Sequence, residues 1–230
     1  MHANAKAYMS THRNSSLRPL DIRASLFVLE CENNSVYILC SQNASMDLEH
    51  FRQGTGSTFC QANRFTGNVL EVHLCPDNMK AVSQSLAEAY RERGYTVCSE
   101  TEMSPIELGT NVLLRRAPVR VNCHTYMLEL QPLPGTDYPA LYVGKSQDLT
   151  KRWANHWNGT AAKWTDRHKP VRVQRIDLDR GESYDQSRTH EDAVTLTLMR
   201  EMVAKHGQDG WNSVRGGRFT RLDMGRPTQL

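Results

Sequence analysis

The sequence predicts an α/β chain, more strictly α+β, built as two tandem copies of one unit, each a small three-stranded, mostly antiparallel sheet flanked by helices. Three observations carry this expectation. Short runs rich in β-branched and aromatic residues come in pairs parted by turn residues, as hairpins do. Helical stretches with glycine stops follow each pair. The same order of elements then returns in the second half of the chain with matched residues.

In the first half, residues 24–31 (Ala-Ser-Leu-Phe-Val-Leu-Glu-Cys) and 35–42 read as strands around the tight turn Asn33-Asn34. A short helix over 44–52 ends near Gly54, and residues 69–75 form a third strand. Pro76-Asp77 opens a helix that Gly94 stops. In the second half, residues 122–131 pair with 140–145. Asp148 caps a helix to about Trp157, and Asn158-Gly159 ends it. Residues 171–178 alternate as a strand, and a polar stretch, 179–186, precedes a helix to about Lys205, stopped before Gly207.

Residue matches support the repeat. Leu26-Phe27-Val28-Leu29-Glu30 lines up with Thr125-Tyr126-Met127-Leu128-Glu129, and Val36-Tyr37-Ile38 with Leu141-Tyr142-Val143. With small shifts in the helix, His50-Phe51 lines up with His156-Trp157. Ala81-Val82-Ser83 lines up with Ala193-Val194-Thr195. The chain thus divides into a flexible polar arm (1–20), a first unit (21–100), a structured connector containing Val112-Leu113-Leu114 (101–121), a second unit (122–214) and a basic tail (215–230).

Residues 1–110 carry a net charge of −3 and residues 111–230 a net of +6, so only the second half is suited to face a polyanion. No apolar run approaches the ~20 residues of a membrane span, and the polar start lacks a signal-peptide core. The expected location is intracellular, cytoplasm or nucleus, rather than secreted. Six cysteines without a C-x-x-C pair read as reduced, mostly buried thiols, with a metal site using His50 or His73 as the alternative.

Reactive residue types gather in the second unit. Tyr126 and Tyr142 lie on its first two strands, and Arg152 and His156 share one face of the following helix. Lys163 follows in a loop, and Glu191 opens the last long helix. From Cys123 to about Arg215 the chain resembles the GIY-YIG endonuclease domain. The first motif stands as His124-Thr125-Tyr126 and the second as Tyr142-Val143-Gly144. The run continues through Lys145-Ser146-Gln147-Asp148-Leu149-Thr150-Lys151-Arg152-Trp153, and Glu191 and Asn212 keep the family's order. Two departures stand out: His124 replaces a glycine, and 127–141 holds an enlarged hairpin loop with Pro132, Pro134 and Pro139.

The resemblance implies a DNA phosphodiester hydrolase with one Mg2+ (or Mn2+) per active site. Glu191 would be its metal ligand, and Arg152 would hold the scissile phosphate in a planar fork. Tyr126 would take or relay the proton of the attacking water, and Tyr142 would orient that water. His156 and Lys163 would contact phosphate or tune Tyr126. Gly144 would permit close backbone approach. Lys145, Lys151, Arg152, Lys163, Arg167, Asn212, Arg215 and Arg218 form the expected nucleic-acid contacts, the partner being double-stranded or branched DNA. Homodimerisation stays open, and a non-catalytic DNA-binding or assembly protein is the alternative.

The first copy reads as an inactive duplicate. Phe27 stands for Tyr126, Leu39 for Gly144, Asp47 for Arg152 and Met79 for Glu191; only Tyr37, opposite Tyr142, keeps a reactive type.

Overall fold

The computed structural model describes residues 24–74, 77–116, 119, 122–178 and 184–230. The expected arm (1–20), Cys75 at the end of the expected third strand, Pro76 of the expected Pro76-Asp77 helix opening and the start of the polar stretch (179–183) lie outside the described residues.

Strands β1 (Ser25–Cys31) and β2 (Ser35–Ser41) pair antiparallel across Asn33 and Asn34. Both asparagines have positive φ, 58° and 52°, which asparagine tolerates better than most residues and which matches strand twist. Helix α1 (Ala44–Arg52) starts where the Asn43 side chain accepts the Met46 N–H. Then come α2 (Thr58–Ala62), β3 (Phe65–Leu74), α3 (Met79–Glu92), β4 (Thr96–Ser99) and α4 (Pro105–Leu114). The second unit repeats the series as β5 (His124–Leu130), β6 (Ala140–Ser146), α5 (Leu149–Trp157), α6 (Lys163–Arg167), β7 (Pro170–Asp177), α7 (Tyr184–His206) and β8 (Val214–Gly216). Among the described residues, no helix is long and apolar enough to cross a membrane.

Each sheet has four strands rather than the expected three, in the orders β3-β1-β2-β4 and β7-β5-β6-β8. The added strands β4 and β8 run parallel to β2 and β6. They are too short to show alternation, and only long-range pairing makes them strands. Helices α2 and α6 are short, five residues each, and the segment of α6 reads as a loop in the sequence. The α7 helix begins at Tyr184, so Glu191 lies in its third turn rather than at its start.

The two registers coincide. Phe27 faces Leu39 as Tyr126 faces Gly144. His124 is buried and pairs with Ser146, so β5 runs normally despite the missing glycine. Helices α1 and α5 both have nine residues, capped by Asn43 and Asp148. This frame corrects one match: Phe51, not His50, occupies the place of His156.

The units embrace through these two helix starts. The Ala44 N–H donates to Thr150 Oγ1 at 3.3 Å, and the Leu149 N–H donates to Ser45 Oγ at 2.9 Å. The donors are equivalent positions, as are the acceptors, so the bonds are reciprocal and the units are related by a pseudo-two-fold axis. Strands β3 and β7 lie alongside one another. Phe27, Leu29 and Leu48 share one continuous core with Tyr126, Leu128 and Trp153. The Trp153 ring sits 6.2 Å from that of Phe27 and 6.3 Å from that of Tyr126. The opposite faces have separate cores, under α3 in the first unit and under α7 in the second.

The connector is part of the first unit. Ser104 and Glu107 form a capping box at the start of α4. Asn111 Nδ2 donates to Tyr37 Oη at 3.2 Å. Arg115 reaches Glu100 at 2.5 Å and Asp47 at 3.4 Å, all three largely buried. The tail also folds back, with Phe219, Met224 and Leu230 packed in the core beneath α7. Arg115→Ala leaves two buried carboxylates without their cation. It should lower stability by about 3–5 kcal/mol, measured by denaturant unfolding.

Candidate active site

Five residues from four elements meet around Gly144. Antiparallel pairing sets Tyr126 opposite Gly144 and Leu128 opposite Tyr142, which puts both phenols on one face as diagonal neighbours. A β-carbon on Gly144 would lie 2.5 Å from Tyr126 Oη, 2.6 Å from its Cζ and 2.8 Å from Tyr142 Cε1. The glycine therefore makes room for the two rings rather than for a ligand.

Helix α5 brings Arg152 and His156 over them. Arg152 Nε donates to Tyr126 Oη at 3.2 Å, and the guanidinium charge bears on Tyr142 as well. Tyr126 Oη lies 2.7 Å from His156 Nε2, and His156 Nδ1 lies 2.8 Å from Thr165 Oγ1. Thr165 donates its own hydroxyl proton to the Ala162 carbonyl. Nδ1 must then carry the imidazole hydrogen, and Nε2 accepts the phenol proton. The Tyr126 hydrogen is turned toward His156, and its oxygen accepts from Arg152.

Electrostatics agree with this assignment. Burial, and then the Arg152 charge, hold the His156 pKa down to about 3, so the ring is neutral near pH 7. Burial and the neighbouring Tyr142 push the Tyr126 pKa well above the usual phenol value, against the pull of Arg152. Burial likewise raises Tyr142, with Arg152 opposing it and Glu191 adding to it. Both tyrosines rest as neutral phenols.

Glu191 approaches from α7 at the β8 end of the sheet. Its Oε1 accepts the Gly217 N–H at 3.2 Å. Burial raises its pKa, while that N–H and the charges of Lys145 and Arg152 work the other way. Gly217 has φ 49°, and a β-carbon there would strike Asp192 Oδ1 at 2.0 Å. The Gly216-Gly217 doublet is thus the sequence signal for this contact. Thr165 was missed, because its one-turn helix looks like loop.

Other expected site residues fall elsewhere. Lys163 is exposed at the start of α6, and Tyr126 is tuned by His156 and Arg152 instead. Lys151 and Arg167 are exposed, and Lys145 is half-buried within reach of the Glu191 charge. Arg218 is exposed and paired with Asp192 at 3.6 Å.

One expected nucleic-acid contact is corrected. Arg215 is fully buried in β8, with its guanidinium 4.5 Å from the Trp164 ring centre and 5.7 Å from that of Trp211. It donates to the carbonyls of Asn212, Val214 and Arg221 and to Asn212 Oδ1. Arg215 is a structural pin, and the exposed Asn212 is one of its acceptors. Burial without a carboxylate partner lowers the Arg215 pKa to about 10, which leaves it charged at neutral pH.

Among the described residues no three His, Cys, Asp or Glu side chains converge on a metal position. Five cysteines are free thiols, and Cys75 lies outside the described residues. A cation at the site would depend on Glu191. A buried carboxylate held by one neutral donor offers the hard oxygen that magnesium prefers, with water completing its shell.

Comparison with protein-family models, curated proteins and solved structures gives no match to the chain.

In Gly144→Ala the phenols must move. The variant should lose about 1–3 kcal/mol and break the Tyr126–His156 bond, seen as a shifted imidazole signal by NMR. His156 also makes a pH prediction. Its folded pKa lies below the unfolded 6.5, so the unfolded chain binds more protons between pH 6.5 and about 3. Its contribution is complete above pH 6.5 and falls away as pH drops toward 3. In His156→Gln, the pH slope of stability across that window should shrink by about one proton.

Proposed function

We propose that the chain is an endonuclease of the GIY-YIG type, hydrolysing DNA phosphodiester bonds at one site in its second unit. One observation carries this reading. Tyr126, Tyr142, Arg152, His156 and Glu191 converge around Gly144, while the equivalent places of the first unit hold Phe27, Tyr37, Asp47, Phe51 and Met79. A packing role alone would not require a phenol–imidazole–guanidinium chain on one copy where the other has two phenylalanines and, for the guanidinium, a carboxylate.

Arg152 is half-exposed beside two phenol oxygens, placed to hold a phosphate oxygen and to offset charge on the pentavalent phosphorus. Tyr142 orients the attacking water. The water's proton passes to the tyrosine pair, and Tyr126 hands its own proton toward the lone pair of neutral His156. The water oxygen forms the new bond to phosphorus, and the leaving oxygen is protonated from solvent. A magnesium or manganese ion held at Glu191 would supply Lewis acidity to the phosphate. Lys145, Lys151, Lys163, Arg167 and Arg218 would add backbone contacts to double-stranded or branched DNA, weakening with salt.

The test is cleavage of plasmid DNA with and without Mg2+. Wild type should cut only with the cation. Arg152→Ala and Glu191→Ala should each cut about 10²–10³ times more slowly while keeping wild-type melting behaviour. Gel shifts without cutting under any divalent cation would leave a DNA-binding protein instead.

A further inference from the structure

The first unit carries more than lost residues, and its geometry bears on how many strands are cut. The reciprocal bonds Ala44–Thr150 and Leu149–Ser45 make the chain a built-in two-fold pair. The strands of a DNA duplex are themselves related by two-fold axes, and paired active sites on such an axis address both strands. In this chain only one site of the pair has the reactive set.

The other site has been refilled. Tyr37 Oη donates to Glu100 Oε1 at 2.9 Å, and the Cys40 N–H donates to Glu100 Oε2 at 2.9 Å. Arg115, delivered at the end of α4, lies between Glu100 and Asp47. A cavity of about 480 Å3 remains there, edged by Met46, Asp47, Glu100, Val112, Arg115 and the exposed Arg116. Its one buried guanidinium is matched by two carboxylates, so a phosphate would meet no unpaired positive charge from that network. Met79 sits where Glu191 does, its Sδ 2.8 Å from Cys40 Sγ, and a thioether is a poor ligand for a hard cation. The surfaces through which a second catalytic unit would join the first in this geometry, α1 with α5 and β3 with β7, are already used within the chain.

We infer that this chain nicks one strand per binding event, with the first unit standing in the place of a catalytic partner. The inference rests on the nuclease reading above. Its experiment uses the full chain in excess over supercoiled plasmid with Mg2+, followed by gel and by sedimentation of the protein. Open circles should account for nearly all product while supercoiled plasmid remains. Tyr37→Phe should nick within about twofold of wild type, and Tyr142→Phe about 10²-fold more slowly. Linear DNA appearing from the outset alongside open circles overturns the inference, whatever the oligomeric state. So does a Tyr37→Phe variant, folded by thermal melt, that slows as Tyr142→Phe does. Absence of any cleavage by wild type overturns the nuclease reading and takes this inference with it.

Discussion

The shared core between the two units is the constraint on which the rest depends. Each sheet turns one face toward it, and Trp153 stands between Phe27 of one copy and Tyr126 of the other. Burying those faces together is worth far more than either small sheet could gain alone. It also fixes the chemistry. Tyr126 is buried because its ring belongs to this core, and burial is the first cause of its raised pKa. The same burial keeps His156 neutral, which lets it accept the phenol proton.

Within that frame the two copies solve one problem with opposite charge patterns. A polar group on the second strand needs a partner once it is buried. In the second unit Tyr142 lies within reach of the Arg152 charge from α5. In the first unit the α5-equivalent position is Asp47, and Tyr37 turns instead to Glu100, which Arg115 balances from α4. Positive charge near the phenols is half-exposed in one copy and sealed against carboxylates in the other. The connector helix thereby becomes part of the first fold. Arg215 shows a third outcome: a cation between tryptophans, held by carbonyls and shut away from solvent.

Much of this was legible beforehand. The hairpins, the caps at Asp148 and the glycine stops follow from local backbone chemistry, which a short window contains. The match of Phe27 to Tyr126 and of Leu39 to Gly144 was readable because strand register carries residue identity in step with position. The helix match was less legible: histidines at 50 and 156 invite alignment, but the caps at Asn43 and Asp148 set the frame and place Phe51 there. Arg215 looked like a nucleic-acid contact because composition alone cannot tell a buried cation from an exposed one.

By itself, the sequence determined the tandem α+β plan, the match of Tyr126 to Phe27 and of Gly144 to Leu39, and the set of reactive residues confined to one copy. Those depend on periodicity, capping and register, which are local. Only the tertiary structure decided that β4 and β8 complete the sheets, that Arg115 fills the first unit's site, and that Arg215 is a pin. It alone revealed Thr165 behind His156 and the reciprocal helix starts that join the copies. Each of these unites residues far apart in the chain, and their partners are chosen by burial and charge balance after the elements have packed.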